Sequence, residues 1–169
     1  GTWAFKGATD RDGCSTVDGT VRLCDSDGAW RRSTGPDYGF DAIFFNNFND
    51  NAFAALATQP YGSLFGNSFD GVIQHFIRGA AEMEGIPEST IPVFEVVDTT
   101  LSDLPAKRFS IAFPQNGLWQ VNIYTVVVQP KASVYALTWA VGDEPTAEMV
   151  DAHQDFTSKL IMTLGEVEQ

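Results

Sequence analysis

The sequence predicts an α+β fold: an antiparallel sheet of about six strands with helices packed on it. Three observations carry this. Four strand-like runs follow one another after Pro92, each bounded by proline or glycine. Two segments, Ser68–Glu84 and Thr146–Leu164, repeat apolar side chains at helical spacing. In the third strand run, Trp119, Val121, Ile123 and Val127 share one face while Leu118, Tyr124, Val126 and Val128 share the other. A strand apolar on both faces is covered on both, so the expected arrangement has three layers.

The chain opens with a segment of different character. Residues 1–39 carry seven glycines and both cysteines of the chain, Cys14 and Cys24. An even cysteine count, close spacing and polar surroundings predict a disulfide, which stabilises by roughly 3 kcal/mol in the chain-entropy picture. Within it Thr20–Cys24 reads as a short strand, and Trp3, Phe5 and Trp30 are the expected anchors to the main body. The segment is too poor in apolar residues for a core of its own. The expectation is one domain over 1–169, with an irregular, stapled lead-in over 1–39 and a sheet-and-helix body over 40–165.

Phe40–Phe45 and Ala52–Thr58 read as a hairpin around the turn-rich run Asn46–Asn51. Helix Ser68–Glu84 follows. Phe69, Val72, Ile73, Phe76, Ile77, Ala80 and Met83 form its apolar face, Asn67 or Ser68 caps it, and Gly85 with Pro87 ends it. The next strands are expected at Val93–Thr99, Ala106–Phe113, Trp119–Val128 and Ser133–Val141, with Pro92, Pro105, Pro114 and Pro130 at their edges. In the second of these, Phe109, Ile111 and Phe113 alternate with Arg108, Ser110 and Ala112, the pattern of one buried face. The last helix, Thr146–Leu164, turns Met149, Val150, His153, Phe156, Leu160, Ile161 and Leu164 inward.

These features together resemble the PsbP/DcrB-like group of α/β/α sandwich domains. The resemblance runs over residues 30–164. It is carried by Trp30 ahead of the hairpin and by Ala52-Phe53-Ala54-Ala55-Leu56 leading through a loop into a helix. Leu104-Pro105-Ala106-Lys107-Arg108-Phe109 and Val134-Tyr135-Ala136-Leu137-Thr138-Trp139, the latter followed by a helix with Phe156, complete it. It implies a mostly non-catalytic, extracytoplasmic accessory, assembly or binding module. It carries over no site residue, and the Cys14–Cys24 lead-in lies outside its pattern.

Charge narrows the partners. Ten basic against 22 acidic residues give a net charge of -12, which repels phosphate backbones and anionic lipid, so no nucleic-acid partner is expected. No apolar run is long enough to span a membrane. The disulfide points to the periplasm or the cell exterior. The sequence read here holds no signal peptide, so an exported protein is expected in mature form.

Candidate chemistry is sparse. Ser68, in Gly66-Asn67-Ser68-Phe69-Asp70-Gly71, sits where a nucleophile elbow would place its serine, but Asp70 stands where that motif needs glycine. Ser68 therefore reads first as a helix cap. Of the two histidines, His75 falls off its helix's apolar face and reads as a surface residue. His153 falls on the inner face and reads as a core or boundary residue holding one hydrogen bond, with a catalytic or ligand role as the sharper alternative. Asp10-Arg11-Asp12-Gly13 and Asp25-Ser26-Asp27-Gly28 are D-x-D-G turns. Closely spaced carboxylates before a glycine can hold calcium, but the twelfth loop positions are Val21 and Pro36, so neither is an EF-hand; they read first as tight turns flanking the disulfide, with a non-EF calcium site as the sharper alternative. No metal or cofactor is expected. The first functional expectation is a non-enzymatic extracytoplasmic accessory domain with a protein partner. The alternative is a binding protein for a small hydrophobic ligand, held between the sheet and the C-terminal helix. A hydrolase using Ser68 with a histidine is the minor alternative.

Overall fold

The computed structural model describes residues 13–18, 21–60, 68–128 and 132–162. Their elements follow the expected order. Strands β1 (Cys14–Asp18), β2 (Val21–Cys24), β3 (Trp30–Arg32), β4 (Ala42–Asn46) and β5 (Phe53–Pro60) lead into helix α1 (Phe69–Glu84). After a short 3-10 turn come β6 (Val93–Leu101), β7 (Leu104–Gln115), β8 (Leu118–Val128) and β9 (Ala132–Val141), then helix α2 (Ala147–Ser158) and β10 (Leu160–Met162). The main sheet has seven strands in the order β3-β4-β5-β9-β8-β7-β6, and a second sheet has three in the order β1-β2-β10. Every pairing is antiparallel.

Tight hairpins set the register of β6, β7 and β8. Ser102 and Asp103 join β6 to β7 with φ of 51° and 65°, and Asn116-Gly117 joins β7 to β8 with φ of 53° and 82°. Positive φ at both central residues is the twist-matched turn of two-residue hairpins. The register then alternates side chains between two helix-covered faces. On one, Phe109, Ile111, Phe113, Tyr124, Tyr135 and Leu137 meet Val72, Ile77, Ala80 and Ala81 of α1. Each such side chain, fully buried, contributes about 1.5–3 kcal/mol for the larger aliphatics and aromatics. On the other face, Val127, Val134 and Ala136 pack with Phe156 of α2, and Val121 and Ile123 pack with Met149 and Val150. This is the three-layer sandwich that the two-sided third strand run predicts.

Helix α1 begins where its cap says it should. The Gly71 amide donates to Ser68 Oγ at 3.1 Å, and Gly85 ends the helix at φ 67°, donating its amide to the Ala81 carbonyl. Met83, placed by spacing on the apolar face, is exposed, and Ala80 and Ala81 are the last buried residues of the helix.

Four expectations change. The lead-in is not irregular: Cys14–Asp18 pairs with Val21–Cys24 as a hairpin, with Cys14 opposite Cys24 and bonded to it. Trp30–Arg32 already belongs to the main sheet, so that sheet has seven strands rather than about six. The last helix stops at Ser158, because the Lys159 carbonyl accepts the Cys24 amide at 2.7 Å and Leu160–Met162 continues as a strand along β2. That turn leaves Ile161 exposed while Leu160 stays buried. Finally, β7 is buried on both faces, since Ser110 and Ala112 are covered as well as Phe109, Ile111 and Phe113. Trp3, Phe5, the Asp10–Asp12 turn residues and Leu164 lie outside the described residues.

Candidate functional site

The polar side chains singled out in the sequence separate onto different parts of the fold. Ser68 caps α1 on one face of the sheet. His153 lies fully buried under α2 on the other. The two are not brought together. His153 Nε2 is 2.6 Å from Thr125 Oγ1 of β8, and Nδ1 is 2.8 Å from Thr138 Oγ1 of β9. In the neutral ring, one nitrogen donates to a threonine oxygen and the other accepts from the second threonine hydroxyl. Burial, and then the charge of Arg108, push the imidazole down from 6.5 to about 3. The ring is thus a satisfied, uncharged member of the core. His75 is half-buried beside Phe76 and not the surface residue expected, and burial lowers its pKa too.

The Asp25–Gly28 turn holds a cation, and the cation is internal. Lys159 Nζ stands 2.9 Å from Asp25 Oδ1, 2.6 Å from Asp27 Oδ1 and 3.0 Å from Asp155 Oδ2. Asp25 Oδ2 accepts the Trp30 amide at 2.8 Å, and the Trp30 indole N–H donates to Asp155 at 2.9 Å. The Lys159 bond, then the Asp25 bond, hold the Asp27 carboxyl at about 2. Desolvation acts to lower the Lys159 pKa, but the three carboxylates outweigh it and raise the pKa above the ordinary lysine value. This knot ties the lead-in, the edge strand β3 and the end of α2 together. Sequence reading missed it because Lys159 lies 132 residues from Asp27; the only signal was the unspent pair of carboxylates before Gly28.

Between α2 and strands β8 and β9 there is a cavity of about 10 Å³, bordered by Val121, Ile123, Thr138, Met149 and Ala152. That is room for about one water. A small apolar ligand does not fit there. A larger recess of about 260 Å³ opens beside it, over β6 and β7 at the start of α2.

A partly exposed apolar surface sits at one end of the sheet, on the face that α1 covers. A cross-strand row runs Arg31, Phe45, Phe53, Trp139 through β3, β4, β5 and β9. The Arg31 guanidinium lies 5.2 Å over the Phe45 ring. Phe45 meets Phe53 edge-on at 5.9 Å, and Phe53 stacks on Trp139 at 5.7 Å. All three rings are half-buried, and Leu118 (59% exposed), Val141 (51%) and Phe48 (72%) extend the same end. Asn51 fastens the Phe48 loop there, donating to the Val141 carbonyl at 3.3 Å and accepting its amide at 2.9 Å. No helix among the described residues is long and apolar enough to cross a membrane.

No family model and no curated protein matches the chain. Solved structures are similar in shape. LpqN of Mycobacterium tuberculosis, described as involved in cell envelope biogenesis, superposes with a TM-score of 0.53 at 15% identity, covering 91% of this chain and 86% of LpqN. Cyanobacterial PsbP from Synechocystis sp. PCC 6803 gives a TM-score of 0.47 at 10% identity over 96% of both chains. A protein from Bacteroides thetaiotaomicron VPI-5482 gives 0.48 at 8% identity over 85% of this chain, which spans only 45% of that protein's length. At such identities the likeness to LpqN is one of fold alone, and the α/β/α sandwich expected from the resemblance is the arrangement this chain adopts.

Proposed function

We propose that this chain is a non-enzymatic, extracytoplasmic accessory domain that works by binding a protein partner through the aromatic end of its sheet. The observation that carries the reading is the Phe45–Phe53–Trp139 row with Arg31 at its head and Leu118, Val141 and Phe48 around it. Aromatic rings with arginine are the side chains that dominate binding energy at protein interfaces. The chain's net charge of -12 favours a basic partner by steering its approach. The catalytic alternative finds little support: His153 is bonded at both nitrogens and Ser68 is used as a cap. The disulfide supports the compartment. We also read the chain as a single domain; the β2–β10 pairing supports this by joining its early and late segments.

Site-specific photo-crosslinking tests the reading. A photoreactive side chain at Leu118 should trap one discrete partner when the full chain is expressed with export, and Trp139→Ser should abolish that product. The same group at Thr157, outside the aromatic end, should trap nothing discrete. Equal products from both positions, or a product indifferent to Trp139→Ser, would overturn the proposal.

A further inference from the structure

The recess of about 260 Å³ over β6 and β7 combines both charge signs with apolar side chains. Helix α2 lies across β8 and β9, and the recess opens at its edge, where Arg108 is only half-buried. The β6–β7 register sets Phe94 beside Ser110 and Val97 beside Arg108, with a bulge between Phe94 and Val97. Arg108 is half-buried and lines the recess. Among the described residues it has no hydrogen-bond or ion-pair partner. Its cross-strand neighbour on the other side, Thr125, bonds His153. A guanidinium carries five donors in a fixed fork suited to a carboxylate, and the Ser110 hydroxyl stands next along the strand. Glu95 and Glu144 border the same space.

The lining thus carries one positive and two negative charges. A simple anion would meet the guanidinium but be repelled by both carboxylates. A simple cation would leave the guanidinium desolvated and unpaired, which costs free energy. A ligand with both signs satisfies each. The volume lies just below the range of drug-sized sites, and Phe94, Val97 and Val150 offer an aliphatic body apolar contact. We propose that this recess binds a small zwitterion of the α-amino-acid class with an aliphatic side chain. Its carboxylate lies on Arg108 and Ser110, and its ammonium lies toward Glu95 and Glu144. The recess is on the α2 face and the aromatic row on the α1 face, so this inference does not depend on the proposed partner surface.

The test is amide NMR of the full, disulfide-bonded chain titrated with three probes: leucine, N-acetylleucine and leucinamide. Leucine should give saturable shifts at Phe94, Ser110 and Val150. N-acetylleucine lacks the ammonium and leucinamide lacks the carboxylate, so each should bind about tenfold more weakly or less, the effect of losing one charged hydrogen bond. Arg108→Gln should remove leucine binding. Glu95→Gln, an exposed change that leaves the fold intact, should bring leucine down toward the N-acetylleucine level. Absence of saturable shifts with leucine would overturn the proposal. So would equal responses to all three probes, or leucine binding that Arg108→Gln and Glu95→Gln leave unchanged. Should Arg108→Gln fail to fold, Ser110→Ala with Glu95→Gln decides the matter by the same criterion.

Discussion

The ammonium of Lys159 stands 2.6 Å from Oδ1 of Asp27, occupying the position that a D-x-D-G turn offers to a metal ion. Its side chain is 14% exposed and that of Asp25, also paired to it, is 9% exposed. Removing the cation leaves Asp25 largely buried without its counter-charge. Lys159→Met should therefore destabilise the chain by about 2 kcal/mol, below the figure for a fully buried pair because Asp27 and Asp155 reach water. Urea unfolding followed by tryptophan fluorescence reads this, since Trp30 bonds the same cluster. The pH dependence has a definite sign. Asp27 is depressed from 3.8 to about 2, so its contribution is complete above pH 3.8 and is lost as pH falls through 2. A midpoint unchanged in Lys159→Met would show that the knot adds nothing.

The disulfide closes a ten-residue separation between directly opposed hairpin strands. Cross-linking at that separation lowers unfolded-chain entropy by an amount worth roughly 3 kcal/mol. Replacing both cysteines by serine should lower stability by about that amount in urea. Alkylation of the unreduced, denatured protein should label no cysteine. Two labels per chain would remove both the staple and the argument for an oxidising compartment.

Acid should unfold the chain through His153. Its pKa falls from 6.5 to about 3, first through burial and then through the nearby Arg108 charge. Stability from the neutral ring is complete above pH 6.5 and is lost as pH falls toward 3, because the unfolded chain binds a proton that the fold refuses. The gap corresponds to on the order of 5 kcal/mol. His153→Gln should flatten the slope of stability between pH 6 and pH 4. Thr138→Val should cost about 1–3 kcal/mol at pH 7 by leaving one ring nitrogen without its partner. A wild-type stability that is flat across this range would contradict the buried, neutral ring.

Periodicity carries the sandwich well and the knot hardly at all. Alternation in Trp119–Val128 announces a strand covered twice, and α1 is legible down to Ser68 because cap, face and terminator agree. The end of α2 is not legible. Phe156, Leu160 and Ile161 continue a helical spacing, and only the Cys24 amide reaching the Lys159 carbonyl decides for a strand. Tertiary bonds of this kind override local pattern. The same holds for the recess: Arg108 reads as the outward residue of an alternating strand until the position of α2 shows that its face is partly covered.

Phe156 joins helix α2 to the first strands of the main sheet. Its ring centroid lies 5.1 Å from that of Trp30 and 5.4 Å from that of Phe44, and it is fully buried. It therefore links α2 to β3 and β4, which α2 reaches otherwise through the Trp30–Asp155 bond. Phe156→Ala should cost about 3–5 kcal/mol, the range for removing a buried aromatic ring and leaving a cavity. Loss at this position should also loosen the edge strand selectively. Hydrogen exchange at Arg31, whose strand is the last in the sheet, should accelerate more than exchange at Ile123 in β8. Equal acceleration at both would mean that Phe156 supports the fold as a whole and does not act as the local tie between α2 and the sheet edge.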